Sequence, residues 1–545
     1  MPATALVFPK EIHMDVLRTL GLRRTPQSER ADPRQRRNAA GGYAFTLDDA
    51  ARLRRFLVLG IDGGTYYAAP RDLARDNAEV VTRMAQEDPE GLVTTIVEVS
   101  QRGAAPKQNA TLFALALAAS YPESSALALT ALPQVARTGT HLFLFAAYAE
   151  QFRGWGRGLR RAVGSWYTSK DADALAYQVV KYRQREGWSH RDLLRLAHPE
   201  TAVPELQDVF EWIARGSVGE RTPALIEGYV RAQEATDPTT WSTLVREHGL
   251  SWEMLPDAAL SEVAVWDALL DVGVPQTALM RQLPRLTRLG MLPDIGGRTE
   301  DVTTRLTDAD RLRAGRVHPV NVLVAQRTYA SGRSARGGGE WEPSRKVSDA
   351  LDAAFYTAFG AVEPSGTRTL VAVDVSGSMG APISGLPITA REASAALALV
   401  QLATEPDATA VGFTTRHGGW GWHDSALRPL QISPRQRLDD ALRVVDAMPM
   451  GGTDCALPMV HATEQGLEVD TFVVYTDNET WAGSIHPHQS LVEYRRRSGI
   501  NAKLIVVGMT ATKFSIADPS DPGMLDVVGF DAAVPSLISE FARGL

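Results

Sequence analysis

Two hydrophobic rhythms divide this chain of 545 residues. Over the first three hundred positions, apolar residues recur about every 3.6 residues, the spacing that places them on one face of a helix. The pattern predicts helices over 73–84, 91–100, 109–119, 142–152, 159–167, 172–182, 204–214, 223–233, 261–272 and 276–289. Short connections and scarce strands predict paired antiparallel helices in a HEAT-like solenoid, each pair burying its face against its neighbours, although no strict repeat accompanies them. Beyond residue 368 the rhythm changes. Apolar runs at 370–373, 408–413, 471–475 and 502–507 alternate with helical patterns at 391–402, 436–448, 489–497 and 534–543. That alternation predicts a doubly wound, Rossmann-like parallel sheet that binds ligands at the carboxyl ends of its strands. The fold class is mostly α with an α/β domain. The expected division is an N-terminal extension over 1–40, the helical repeats over 41–342 and the α/β domain over 343–545.

Three strand ends carry candidate metal chemistry. The run Leu370–Met379 delivers Asp-x-Ser-x-Ser as Asp374, Ser376 and Ser378; Thr453 follows a Gly-Gly pair, and Asp477 ends the run that begins at Val473. Two carboxylates and three hydroxyls are hard oxygen ligands, suited to Mg²⁺ or Mn²⁺ and poorly to a thiophilic metal. A lone Asp-x-Ser-x-Ser is as often a solvated turn. Three segments in this order resemble the metal-ion-dependent adhesion site of von Willebrand factor A domains.

Composition narrows the setting. The chain is 44% hydrophobic, enough for a large core, and its single cysteine, Cys455, excludes an internal disulfide and fits a reducing cytoplasm. Lys10 and Glu11 follow the first apolar residues at once, so no signal-peptide core is expected there, and no apolar run is long enough to span a bilayer. A cytoplasmic protein without membrane contact is expected. Net charge is −7, all of it in 368–545, which hold 13 basic and 20 acidic residues; the first 367 balance. Within that balanced part, residues 152–198 carry ten Lys and Arg against four Asp and Glu, a local basic stripe of the kind that binds polyanions.

Inside that stripe, Lys181 and Arg185 are four apart on the helix predicted over 172–182 and its continuation, so both project from one face. Ser189 and Asp192 have capping-box spacing and predict a new helix, with His198 near its far end. Trp155, Arg157, Arg160 and Arg161 combine an aromatic with guanidinium groups, the kit for stacking bases and pairing phosphates. The competing readings are a solvated basic face, a structural histidine and a core tryptophan. Residues 60–67 are glycine-rich but lack the Gly-Lys-Ser/Thr ending of a P-loop and are read as a tight turn; residues 331–339, with Arg333 and Arg336, are read as a flexible linker. Outside the α/β domain no spaced carboxylates or paired histidines support hydrolysis, so the chain is expected not to be an enzyme.

Four longer stretches carry a more specific resemblance: residues 56–67, Trp155–Arg161, Gly187–His198 and Arg316–Pro319 resemble signatures of the TROVE module of Ro ribonucleoproteins. The α/β segments 451–459, 476–487 and 523–531 are similar to Ro as well, so that from about residue 40 onward the chain resembles a bacterial Ro protein. The resemblance implies a helical-repeat ring that binds noncoding Y RNA outside, with Lys181, Arg185 and His198 at contact positions; His190, Arg191, Arg157 and Arg161 are further RNA-binding candidates, the last two on a face that lines either the hole or the outer rim. It implies single-stranded 3′ ends of misfolded or precursor RNAs in the central hole. It further implies an adaptor, monomeric without RNA, tethered through RNA to polynucleotide phosphorylase or another exoribonuclease in RNA quality control, ribosomal RNA maturation and stress survival. The alternative is a metal-dependent protein-interaction scaffold with RNA binding secondary: salt weakens the first kind of binding, a chelator the second.

Overall fold

In the computed structural model, residues 24–60, 70–334, 339–360, 362–383, 388–414, 427–434, 436–448, 451–529 and 533–544 are described. The helical part runs α1 (Asp49–Leu59), α2 (Pro70–Glu87), α3 (Pro89–Arg102), α4 (Asn109–Ala118), α5 (Pro122–Val135), α6 (Gly139–Phe152), α7 (Arg157–Thr168) and α8 (Ala172–Lys181). It continues through α9 (His190–Ala197), α10 (Pro204–Arg215), α11 (Ala224–Glu234), α12 (Pro238–His248), α13 (Val263–Val272), α14 (Gln276–Arg288), α15 (Thr299–Thr307), α16 (Ala309–Ala314), α17 (Pro319–Ala330) and α18 (Arg345–Thr357). Helices pack mainly on near neighbours, as in the α4–α6, α3–α5 and α12–α13 pairs. Every helix expected from periodicity is present. Those it missed include α5, whose apolar face is interrupted by Pro133, and the short α15 and α16.

The solenoid closes on itself. His318, the residue before α17, bonds through Nε2 to the Ala104 carbonyl after α3 at 3.1 Å, and Asn321 Nδ2 reaches the Pro106 carbonyl at 3.5 Å. Early and late helices thus meet at a seam, and the repeats form a ring.

The α/β domain is a six-stranded sheet in the order β11 (Met524–Val528), β9 (Lys503–Gly508), β8 (Thr471–Thr476), β5 (Thr369–Asp374), β6 (Ala408–Phe413) and β7 (Leu427–Pro429). All pairings are parallel except that of β7 with β6. Every residue of β5 and β8 is buried, because α19 (Ala390–Thr404), α20 (Leu438–Asp446), α21 (Leu457–Gln465), α22 (Pro487–Ser498) and α23 (Val534–Arg543) pack around the strands.

The segment ahead of the ring belongs to this layer. β1 (Arg36–Arg37) and β2 (Tyr43–Thr46) form a small antiparallel sheet with β10 (Phe514–Ser515). The ring itself docks through Arg55 of α1, fully buried, whose Nη2 grips both oxygens of Asp526 at 2.7 and 2.6 Å while Nη1 donates to the Thr512 and Phe514 carbonyls. On the opposite end Arg327 of α17 pairs with Glu392 of α19.

Two expectations change here. The 331–339 segment is no open linker where it is described: Arg333 bridges to Glu340, Ser334 N–H donates to the Gly339 carbonyl at 2.8 Å and Trp341 N–H to that of Gly332 at 2.9 Å. Arg336 lies outside the described residues, as does the 60–67 turn after Gly60. The second concerns α8, which stops at Lys181. The chain then folds into a hairpin of β3 (Gln184–Arg185) and β4 (Trp188–Ser189), with Glu186 and Gly187 both at positive φ, 51° and 79°. Positive φ at both turn residues matches the twist of a two-residue hairpin and cannot continue a helix.

Candidate metal centre and basic face

At the carboxyl end of β5, Asp374 accepts from the Ser376 N–H at 2.9 Å and from the Thr476 hydroxyl at 2.8 Å. Ser376 and Ser378 share a bond between hydroxyls at 3.0 Å, and Ser378 in turn donates to Asp477 beyond β8. Thr453 arrives on the loop before α21, which is tied to the β5 turn where Gly377 N–H meets the Gly451 carbonyl at 3.4 Å. All five predicted ligands are 0–2% exposed.

The electrostatics are those that a cation would relieve. Burial, and then the charge of Asp477, push the Asp374 carboxyl up to about 7; burial also raises Asp477. The Thr453 hydroxyl is buried with no hydrogen-bond partner. An orphaned oxygen beside two crowded carboxylates fits a hard divalent ion, which would take the lone pairs that the protein leaves unused. Among the described residues no group of three or more His, Cys, Asp or Glu offers a metal cage elsewhere.

Two residues that sequence reasoning missed hold this centre. Arg391, near the start of α19, donates through Nη2 to the Val375 and Ser376 carbonyls at 3.0 and 3.1 Å, fixing the first metal loop from behind. An arginine in the first turn of a helix opposes the dipole and was the available signal. Gln27 comes from the segment taken as an extension. Fully buried, it donates to Asp454 Oδ1 at 2.7 Å and the Ile485 carbonyl at 2.9 Å and accepts from the Thr480 hydroxyl. No periodicity marks it.

The basic stripe resolves into residues of different kinds. Arg157 and Arg161 are exposed on one face of α7 with Arg160 beside them, as expected, and Arg191 is exposed on α9. None of these four has a carboxylate partner among the described residues. Arg185 is also exposed, on the hairpin, 3.4 Å from Glu186. Trp155 packs on Trp188 with ring centroids 5.3 Å apart, joining the entry of α7 to the hairpin, so the two basic segments adjoin. Beside the hairpin lies a groove of about 580 Å³, lined among others by Arg183, Gln184, Arg191, Trp212 and Arg215. His198 caps α9 in the left-handed region, φ 45°, and is exposed. The capping box of Ser189 and Asp192 is formed as expected.

Two expected contact residues are withdrawn from that surface. The Lys181 side chain is only 7% exposed; its ammonium bonds to the Tyr177 hydroxyl at 2.9 Å, pairs with Glu253 at 3.5 Å and lies over the Tyr177 and Tyr182 rings. Because the helix ends there, it shares no face with Arg185. His190 is buried, stacked on Trp166, with Nδ1 2.8 Å from the Tyr167 hydroxyl; burial holds its imidazole down to about 3, a neutral core ring.

With this geometry in hand, comparison with known proteins is direct. The TROVE domain model matches residues 36–227 and 244–328, and the Ro60 vWA domain model matches 368–542. A Deinococcus radiodurans protein named RNA-binding protein RO60 is 43% identical over 97% of this chain and 99% of its own length. A Caenorhabditis elegans protein of the same name is 35% identical over 96% of this chain and 92% of its own. The crystal structure of the Deinococcus radiodurans RO (RSR) protein superposes with a TM-score of 0.68 at 42% identity, covering 91% of this chain and 100% of that one. A TROVE ring joined to a von Willebrand factor A domain, matched over nearly its whole length, makes this chain a member of the Ro60 family.

Proposed function

We propose that this chain is an RNA-binding protein that takes a small noncoding Y RNA on the basic face around the Glu186–Gly187 hairpin and single-stranded 3′ ends in the hole of its ring. It presents such RNAs to a 3′-to-5′ exoribonuclease, polynucleotide phosphorylase or another, as an adaptor without catalysis of its own. RNA quality control, ribosomal RNA maturation and stress survival in the cytoplasm are the roles that go with this activity. The observation carrying the reading is the set of exposed, unpaired guanidinium groups at Arg157, Arg161 and Arg191 beside Arg185 and His198, in a chain whose relatives are named for RNA binding. Guanidinium forks suit phosphate bidentately, and none of these three must break an internal hydrogen bond or ion pair to do so. Among the described residues no helix is long and apolar enough to cross a membrane.

Asp374, Ser376, Ser378, Thr453 and Asp477 hold Mg²⁺ or Mn²⁺ in this reading. The ion supplies positive charge that relieves the two carboxylates, while Arg391 and Gln27 hold the loops that bring the ligands together. Burial of all five ligands favours a cation that fastens the A-domain loops over one that captures a partner's carboxylate, the mode on which the scaffold alternative depends.

The test is titration of a structured small RNA against the wild type and against Arg185→Ala with Arg191→Ala. Each lost phosphate contact should lower the slope of log affinity against log salt by about 0.9 for duplex RNA-like helices, and affinity should fall roughly tenfold. Unchanged affinity and slope would remove the hairpin face from the account.

A further inference from the structure

The seam that closes the ring holds unmatched positive charge. Ser100 of α3 donates from its hydroxyl to the Val135 carbonyl at 3.2 Å, which brings the residues after α5 beside the end of α3. One turn on, at Gly103, a Cβ would meet the Cβ of Arg316 at 3.1 Å, so Arg316 from the far end of the solenoid sits against the same place. Arg137, two residues past Val135, is half-buried, and its Nε is shut from solvent with no hydrogen-bond partner. His141, one turn into the following helix, likewise has a buried Nδ1 without a partner. Among the described residues neither Arg137 nor Arg316 is in an ion pair or a side-chain hydrogen bond.

We propose that this seam is a binding site for a phosphate group, gripped by Arg137 from the early helices and by Arg316 from the late ones. Arg55 and Arg391 also leave Nε without a partner, but each spends its Nη groups on protein oxygens, Asp526 and two carbonyls for Arg55 and two carbonyls for Arg391, whereas among the described residues Arg137 and Arg316 spend none. A partly buried cation left beside another cation is costly unless an anion joins them. Burial and Arg316 together press Arg137 down to about 10, with no carboxylate opposing them. Arg316 holds its position at φ 46°, in the left-handed region that costs a side-chain-bearing residue conformational energy. Two guanidinium groups from different ends of the chain, near enough to repel one another, suit the oxygens of a tetrahedral oxyanion. An anion there would also clasp the seam already closed by His318 and Asn321.

The phosphate can be a free ion or a phosphodiester of a strand at the seam, and two arms separate them. Thermal melts compare inorganic phosphate with chloride at constant ionic strength, and filter binding follows a single-stranded oligoribonucleotide across salt. Both use the full chain, wild type, Arg137→Gln and Arg316→Gln. A free-ion site predicts that phosphate raises the wild-type melting point and that both variants lose the shift. A phosphodiester site predicts oligonucleotide affinity roughly tenfold weaker in each variant, with the salt slope smaller by about 0.7. Arg316 is exposed, so Arg316→Gln keeps the fold if Arg137→Gln does not. If Arg316→Gln matches the wild type with both probes, the seam binds no phosphate and the proposal falls. The phosphate arm is independent of RNA binding, so a chain that ignores RNA yet responds to phosphate overturns only the functional reading above.

Discussion

Gln27 spends both its backbone and side-chain polar groups on the metal loops: its N–H donates to the Gly483 carbonyl at 2.9 Å, its carbonyl accepts from Tyr43, and its amide ties Asp454, Thr480 and Ile485 together. Thr453, the ligand beside Asp454, takes its position from that knot. Gln27→Leu should therefore weaken Mn²⁺ binding roughly tenfold to a hundredfold, read by the free-Mn²⁺ electron paramagnetic resonance signal, as loss of a ligand's supporting bond does. Asp374→Ala should abolish it; if the wild type itself leaves all Mn²⁺ free, the metal reading fails before Gln27 is at issue. His190 makes a second residue-scale prediction. It faces Phe143, Trp166 and Tyr167, with Lys170 adding repulsion to burial. Its folded pKa, about 3, lies below the ordinary 6.5, so the unfolded chain binds the extra proton between those values. The stability contributed by the neutral ring is complete above pH 6.5 and declines as pH falls, by about 2 kcal/mol at pH 5. Urea melts at pH 7 and pH 5 should show this drop, and a drop of equal size in His190→Phe would assign it to other groups. At this scale the gathering of the five candidate ligands was legible because their spacing follows strand ends. Lys181 and His190 were misread because residue type records charge, not what tertiary packing lays over it.

Among the elements, the α1 attachment carries the clearest energetic claim. Arg55 and Asp526 form a buried pair, the side chains 1% and 13% exposed. Removing one partner strands the other, so Arg55→Ala should cost about 3–5 kcal/mol in urea unfolding, whereas Arg55→Met with Asp526→Leu should cost far less. Equal losses in the two would mean that the carbonyl contacts of Arg55, not its pairing with Asp526, hold the ring to the A domain. Helix starts were well marked in the sequence: Ser189 with Asp192 announced α9, and the apolar run of β6 gave its limits residue for residue. The hairpin before α9 was not seen. Its strands are two residues each, too short for any alternation, and only the Glu186–Gly187 pair carried the turn. A helical continuation through Arg185 was the natural error, since charge spacing of four looks the same whether or not the backbone is helical.

For the molecule as a whole, periodicity foretold stacked helices but not that the stack would close. Closure rests on contacts such as His318 with Ala104, 214 positions apart, and no local pattern encodes a contact between two distant loops. The same holds for residues 24–40, which read as an extension, and for 41–46, which read as part of the repeats: both belong to the A-domain layer through β1, β2 and Gln27. What the ring is for can be tested on the intact protein taken from its own cells. Ultraviolet crosslinking followed by sequencing of the attached RNA should yield a dominant small stem-loop RNA joined near the 186–187 hairpin, with a 3′-to-5′ exoribonuclease that copurifies until RNase is added. Recovery of protein partners that leave on adding chelator, with no RNA enriched over background, would contradict the account and make the metal centre the working surface.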